Sequence, residues 1–480
     1  MTATTTRAAA EVDRPTPGAW TVLWAMTGGL SMLMLDETVV SVALAAMTRQ
    51  LPLSPAGQQW VVNAYVLAMS TTVALGGRLG TKFGPVTTFR LGAWVFFTAS
   101  ACCGLVPSGG TGQEWLIAAR VLQGCGAGLM MPVSASIVMA AFPSAVRGRA
   151  MSVYVGVSQL FLVLGPLLGG ALAGWVTWRA VFWINVPVGL VVLVLAHRGR
   201  PANPKQPSLS VSPVHAVLLV AGIGGTVYAL QQSAQWGWGS TATLLALAAG
   251  VAATATFTLV QMRSADPLVR IQLLRHRAFA GDVVVLLTIQ FSLLPMAVFA
   301  ALYTQNLLGY SPAQAGLVSL ALIGPLMTGA AFAGRWYDRS GVRAPVLSGL
   351  GLATAGAVQW ASDMPHIALA SKMPGVMLVG LGLGLVLAPV NTDALSRVPP
   401  SERPQASGIV HTVRQLGGTL GVAVVGAVVL AHEHAVPPAQ RAHDTAAAMQ
   451  TGFLVVAAVF AGAFLAAWVL LPRQPSPAAR

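Results

Sequence analysis

Gly77-Arg-Leu-Gly-Thr-Lys-Phe-Gly84 returns in altered form as Gly334-Arg-Trp-Tyr-Asp-Arg-Ser-Gly341, 257 residues later (334 − 77). The same offset relates Ser54-Pro55-Ala56 to Ser311-Pro312-Ala313, Pro132-Val133 to Pro389-Val390, and Pro143-Ser144 to Pro400-Ser401. A single match carries little weight. Four matches in one order at one offset mean two copies of one structural unit. Both copies run through long apolar segments, so the sequence describes a membrane protein with two related halves.

Composition agrees. Of 480 residues, 55% are hydrophobic and only 8% are charged, and the mean hydropathy is +0.71. A soluble chain would carry about a quarter charged residues. Fourteen apolar segments are long enough to cross a bilayer as helices. They start near 19, 57, 86, 112, 150, 179, 213, 240, 278, 312, 343, 371, 403 and 448. The first eighteen residues are polar, and the segment after them is too long for a signal-peptide core, so no cleaved signal is expected.

The net charge of +14 would suggest nucleic acid until it is mapped onto the segments. With both termini cytoplasmic, 21 of the 27 Lys and Arg fall on inner segments. Four fall outside (Arg49, Arg179, Lys372, Arg441), and Arg120 and Arg414 lie within helices. That is the positive-inside rule, so the charge reports topology and no nucleic-acid partner is implied. Trp175/Trp178 and Trp236/Trp238 fall at outer ends, as an interfacial aromatic belt requires. Cys102, Cys103 and Cys125 lie inside apolar segments and read as small buried residues rather than a bridge.

The offset sets the organisation. A polar tail (1–18) precedes a first six-helix bundle (19–197), and a second bundle spans 278–471 before a short tail (472–480). Between the bundles, 198–277 inserts two extra helices. The insert's entry is a Pro- and Ser-rich linker. Its exit, Arg263-Ser-Ala-Asp-Pro-Leu-Val-Arg-Ile-Gln-Leu-Leu-Arg-His-Arg277, mixes basic and apolar residues; a short interfacial helix and a plain basic loop both fit. Parallel repeats of this kind build secondary transporters, where a path runs between the halves.

In the repeated signature, Gly77 and Gly84 are read as a tight turn that lets helix ends approach, and Arg78 as a basic anchor on the cytoplasmic side. Asp338 in the second copy can pair with Arg335, Arg339 or Arg343, or cap a neighbouring helix. This pattern resembles the loop signature of the major facilitator superfamily. Leu35-Asp-Glu-Thr-Val-Val-Ser-Val-Ala-Leu44 resembles the first-helix signature of its fourteen-helix branch. Arg120-Val-Leu-Gln-Gly-Cys-Gly-Ala127 resembles the helix-4 motif of proton-coupled members, and Gly165-Pro-Leu-Leu-Gly-Gly170 the helix-5 motif of antiporters. Trp178-Arg-Ala-Val-Phe-Trp-Ile-Asn-Val-Pro187 and Arg414-Gln-Leu-Gly-Gly418 are similar to the same branch. The resemblance implies an all-α membrane protein of the major facilitator fold, two six-helix bundles plus two inserted helices, fourteen in all. It implies a drug:proton antiporter that exports antibiotics, dyes and biocides across a bacterial inner membrane. The sequence departs from the pattern where Thr81 replaces the first signature's Asp, Pro85-Val86 replace its later basic residues, and Ser41 and Ala46 replace Asn and Pro in helix 1.

Ionisable residues inside a membrane are functional candidates by default, because burying them is costly. Asp36 and Arg120 stand at matching depths in helices 1 and 4, roughly 12–15 Å below the outer surface at ~1.5 Å per residue. An Asp–Arg pair there gives a carboxylate whose proton affinity depends on conformation, and a static ion pair is the plainer alternative. Glu37 points about 100° away from Asp36. Glu37, Asn63, Gln123, His411 and Arg414 are candidates for the substrate cavity, with Asp393 at the depth of His411 in one polar cluster. Asp282 begins helix 9 and reads as structural. Gly77, Arg78, Gly84, Gly165, Pro166, Gly169, Gly170, Asp338 and Arg339 are candidates for gating, Pro166 by removing a backbone hydrogen bond and the glycines by close packing. His432-Glu433-His434 with His443-Asp444 matches no metal-site spacing and reads as a solvated loop.

The expectation is a monomeric proton-coupled exporter of small lipophilic compounds, working in the lipid bilayer with no cofactor and no metal. No phosphate-loop motif supports nucleotide hydrolysis. Export of an endogenous metabolite or lipid is the first alternative. A non-transporting scaffold or sensor is the second, and the buried charges weigh against it.

Overall fold

The structure is a computed structural model. It describes residues 15, 17–107, 110–264, 266–310, 312–364, 369–433 and 441–472. Most of the two tails and His434 lie outside the described residues, as do the side chains of His432, Glu433, His443 and Asp444.

Among the described residues the chain forms fourteen long helices: α1 (Ala19–Met47), α2 (Pro55–Phe83), α3 (Pro85–Gly104), α4 (Gly112–Ala141), α5 (Ser144–Trp175), α6 (Ala180–Arg198), α7, α8 (Thr241–Arg263), α9 (Arg277–Leu302), α10 (Pro312–Ser340), α11 (Arg343–Ser362), α12 (Leu369–Ser396), α13 (Arg403–Glu433) and α14 (Arg441–Leu470). α7 is composite, Pro213–Leu219 and Gly225–Trp236 joined by a wide π-type turn at Val220–Gly224. Eleven helices are apolar and long enough to span a membrane, twelve if the two arms of α5 count as one span. α11 falls short because Arg343, Pro345, Gln359 and its glycines and hydroxyls dilute it. α10 and α11 both pack along α12, as α2 and α3 do along α4.

The two halves repeat each other's packing. α1–α5, α2–α4 and α3–α4 in the first bundle match α9–α13, α10–α12 and α11–α12 in the second. The halves meet through a swapped pair of contacts, α5 on α10 and α2 on α13. Both crossings depend on glycine. A Cβ at Gly77 would lie 2.5 Å from the Pro404 carbonyl oxygen, and one at Gly334 would lie 2.7 Å from that of Gly148. These positions are equivalent at the 257-residue offset, since 77 + 257 = 334 and 148 + 257 = 405, next to Pro404.

The signature is therefore not the tight turn expected from its glycines. Gly77–Phe83 and Gly334–Ser340 are helical, and only Gly84 (φ 95°) and Gly341 (φ 77°) take the left-handed backbone that reverses the chain. Gly77 serves helix crossing instead. The insert's exit forms one 3-10 turn, Ile271–Arg275, rather than an interfacial helix.

α7 packs from outside on α2 and α13, and α8 packs on α7. Gly222 and Gly250 bring that hairpin together; a Cβ at Gly250 would sit 2.6 Å from the Thr226 nitrogen. The inserted pair thus flanks the seam, outside the twelve-helix core.

Candidate functional site

Asp36 and Arg120 form the expected pair, fully buried inside the first bundle. Gln123 Nε2 donates to Asp36 Oδ1 at 2.9 Å, and Asn185 Nδ2 reaches the same oxygen at 3.4 Å. Arg120 donates to the Val61 carbonyl at 2.9 Å and to Gln123 Oε1 at 2.8 Å, and its guanidinium lies 4.3 Å from the Tyr65 ring centroid. Asn185 also donates to Ser100 Oγ at 2.9 Å. The node ties α1, α2, α3, α4 and α6 together. Arg120, Gln123 and Asn185 all donate to the Asp36 carboxyl. Gln123 belongs to this node and not to a substrate cavity. Asn63 stays half-buried on α2 and lines none of the cavities described here.

Glu37, the next residue, faces the other way. It lines a small chamber between the halves, about 40 Å³ in volume. Tyr154 and Gln159 of α5, Gln290 of α9, Asn391 of α12 and His411, Arg414 and Gln415 of α13 converge there, with Leu30, Met34 and Met131 among its apolar walls. Larger, mostly apolar clefts of about 580 Å³ (α2, α4, α7) and 510 Å³ (α1, α5, α10) lie elsewhere, the second beside Arg149 and Arg335. Of these three cavities, the small chamber is the one that gathers an acid, a base and amides from both halves, and this chemistry, not size, marks it as the candidate site. Arg414 Nη2 donates to Gln290 Oε1 at 3.3 Å.

Asp393 does not join His411. It takes Arg397 Nε at 2.6 Å and the Tyr337 hydroxyl at 3.3 Å, while Asp282, fully buried, lies 3.5 Å from the same guanidinium. This is a second buried node inside the second bundle, and it places Asp282 beside the Arg397 guanidinium rather than at the helix start, with both carboxyl oxygens lacking a hydrogen-bond partner.

The helix-5 motif sits against α1 just after the two acids. A Cβ at Gly165 would strike Thr38 Oγ1, and one at Gly169 would lie 2.7 Å from the Val39 carbonyl oxygen. Thr38 donates to the Leu162 carbonyl at 2.7 Å. Gly170 makes only ordinary contact with Val42. α5 bends by 47° between Leu162 and Leu167, across Gly165-Pro166.

At the signature end, Asp338 reaches the second turn of α5 rather than pairing with Arg335, Arg339 or Arg343. Gly148 N donates to its Oδ1 at 2.9 Å, and Arg149 lies 3.9 Å away. Arg339 is exposed. In the first copy, Thr81 only turns its hydroxyl back on the Gly77 carbonyl at 3.1 Å. Arg78 is fully buried and pairs with Asp266 from the insert's exit, and it donates to the Ser210 carbonyl at 2.8 Å. Asp266 also accepts from Ser210 N at 2.7 Å and Ser210 Oγ at 2.8 Å. Partial burial of Asp266 opposes its charge, but the Arg78 and Ser210 hydrogen bonds prevail and hold its carboxyl at about 2. Asn203 accepts from Val86 N at 2.9 Å and caps α3 beside Gly84. Four residues beyond Asp266, Arg270 pairs with Glu402 at 2.6 Å, just before α13. The insert thus straps the first half to the second. Among the described residues no group of His, Cys, Asp or Glu is placed to hold a metal ion, and the three cysteines are free.

The sequence pattern of the Major Facilitator Superfamily matches residues 26–422 and 283–480. This chain belongs to that superfamily. It is a family of transport proteins, not enzymes, and its fold is the one built above. The chain is 34% identical to a tetracenomycin C resistance and export protein of Streptomyces glaucescens, over 85% of this chain and 75% of the relative. It is 32% identical to puromycin resistance protein pur8 of Streptomyces alboniger, over 97% and 93%. It is 34% identical to the cephamycin export protein CmcT of Amycolatopsis lactamdurans, over 82% of each. The proton:xylose symporter XylE shares the fold with a TM-score of 0.68 at 15% identity, over 96% of this chain and 98% of XylE. Within the superfamily, Gln290, Asn391, Tyr154 and Gln159 join the site here without having been singled out in the sequence. Asn185 sat inside a quoted motif, and the missing acid at position 81 was the one signal pointing toward Asp266.

Proposed function

We propose that the protein is a proton-coupled efflux antiporter that exports lipophilic drugs or antibiotics by alternating access. It would lie in a bacterial inner membrane as a monomer, with both termini and the signature end cytoplasmic. Relatives named for tetracenomycin, puromycin and cephamycin support the export class. The observation that carries the coupling is the Asp36–Arg120 node, a buried charge pair whose acid lies on the helix that also supplies Glu37 to the chamber.

In this reading Asp36 binds the proton. Protonation removes the counter-charge of Arg120 and loosens the node. Uncompensating a buried pair costs about 3–5 kcal/mol. A proton entering the cell brings about 2.3 kcal/mol per 100 mV and about 1.4 kcal/mol per pH unit, so one proton is of the right size to offset the loss. The change passes along α1 to Thr38 and Val39, which pack under Gly165 and Gly169 of α5. α5 bends there, and Asp338 holds its second turn at the gate. Relaxing one buried acid on α1 therefore bears on the closure between the halves.

The test is puromycin and ethidium export by proteoliposomes under an imposed pH gradient. Asp36→Asn is expected to insert normally and lose uphill export. Full pH-driven export by this variant would remove Asp36 from the role. Failure of the wild-type protein to move any probe would remove the export reading itself.

A further inference from the structure

Asp36 and Glu37 are neighbours with opposite fates. Asp36 is sealed by Arg120, Gln123 and Asn185. Glu37 opens onto the chamber; its side chain makes no direct hydrogen bond or salt bridge with the described residues, and the Arg414 charge attracts it across the space. Across the chamber, Arg414 is also under-used. Its Nε is buried and unpartnered, and its hydrogen bond to Gln290 occupies one of five N–H donors. Buried polar groups left without partners are exceptions that call for an explanation. Here one acceptor of negative charge and one donor of positive charge share a chamber without forming an ion pair. One comes from α1 of the first half, the other from α13 of the second.

We propose that Glu37 and Arg414 are the charge-reading element of the transport chamber: Glu37 takes a basic nitrogen of the exported compound, and Arg414 takes phenolic or carbonyl oxygens beside it. The substrate class is an amphipathic ring system carrying an amine next to hydrogen-bonding oxygens. The walls suit the rings, with Met34, Met131 and Leu30 beside the polar groups. Amides from Gln159, Gln290 and Asn391 offer donors and acceptors to the remaining oxygens. The size is informative as well. A space of about 40 Å³ holds about one water, whereas drug-sized ligands need roughly 300 Å³ or more. The compound enters only when the halves separate, and it then spans the two charges, so recognition and separation of the halves are one event. Asp36 stays out of this contact, which leaves the acid that binds protons distinct from the acid that reads substrate.

The inference rests on the export reading above, and the test separates the two. Doxorubicin carries an amine beside phenolic oxygens, and its aglycone doxorubicinone lacks the amine. Binding of both to purified protein in detergent is followed by fluorescence anisotropy, and export of both is followed in everted vesicles. The readout is the ratio of doxorubicin to doxorubicinone. Glu37→Gln is expected to lower the binding ratio about tenfold or more, the scale of a lost charge-assisted contact. Glu37→Asp should restore much of it. Arg414→Gln should raise the ratio, because a positive charge near the amine is removed. An unchanged ratio in Glu37→Gln, or a wild-type protein that binds neither compound, overturns the assignment. Glu37-dependent binding without any export supports the chamber assignment and overturns the export reading alone.

Discussion

The two copies of the loop signature occupy equivalent places and solve one problem differently. Both sit where a helix of one half crosses the start of a helix of the other, Gly334 against Gly148 and Gly77 against Pro404-Gln405. In the second copy the acid works: Asp338 accepts the Gly148 amide and anchors the start of α5. The matching base, Arg335, is exposed. In the first copy the acid is absent and the base works: Arg78 is buried and held by Asp266 and the Ser210 carbonyl. The insert has moved the acid off the signature and onto a strap. A repeat can thus keep its backbone crossing while the charge that secures it is supplied from elsewhere in the chain.

The largest expected contrast lies in the bases. Arg78→Ala removes a buried guanidinium and frees the strap, whereas Arg335→Ala removes an exposed one. A fully buried pair loses about 3–5 kcal/mol when one partner goes; Asp266 is 36% exposed, so on the order of 2 kcal/mol is expected for Arg78→Ala. Arg335→Ala should stay within about 0.5 kcal/mol. Thermal unfolding in detergent, with cysteine labelling at the signature end, measures both. Comparable losses in the two variants would show that the copies are not divided in this way.

For the acids the order reverses. Asp338→Asn keeps an acceptor for Gly148 but loses the charge at a helix start, about 0.3–1 kcal/mol and a more accessible signature end. Thr81→Ala loses one hydroxyl contact within its own helix and should be milder. Thr81→Asp sharpens the comparison, since it restores the acid within one turn of Arg78. It should recover part of the closure lost in Asp266→Asn, read by the same labelling. No recovery in the double variant would mean that Asp266 acts through the Ser210 contacts and not by replacing the signature acid.

These differences also mark what the sequence could disclose. The halves were legible because an offset and apolar segment lengths survive divergence. The Asp36–Arg120 pair was legible because two lone charges at one depth in hydrocarbon have few partners. Glu37 was legible as divergent from Asp36 through helix geometry, but its exposure to the chamber depends on how α5 and α13 close around α1. Gln290, Asn391 and Tyr154 gave no signal, because uncharged polar residues in helices are common and their facing is set by tertiary packing. The Arg78–Asp266 contact spans 188 positions to a loop that no periodicity constrains. For Asp338 the sequence left two partners open, the arginines Arg335, Arg339 and Arg343 or the start of a neighbouring helix. The structure gives it the Gly148 amide in the second turn of α5, brought within reach by the glycine crossing.

The smallest effect expected is one of pH, and it too distinguishes the copies. Asp266 is held at about 2, below its ordinary 3.8, by Arg78 and Ser210 against the opposing effect of partial burial. A depressed carboxyl contributes its stabilisation in full above the unfolded value and loses it as pH falls toward the folded one. The strap should therefore be intact at pH 5 and above, and should weaken only as pH drops from about 4 toward 2. Across pH 5–8, where the proposed pump works, strap closure should not change. Labelling of a cysteine placed at Ser208 in the linker beside the strap, measured in that range at fixed ionic strength, should give a flat profile. Raising salt should have little effect on the buried Arg78 side and more on the exposed Arg270–Glu402 pair, because screening acts on solvent-facing charges. A labelling rate that rises as pH falls from 8 to 5 would place the strap among the proton-responsive parts of the molecule, and the first copy would then be a sensor where it is argued to be a fixed fastening.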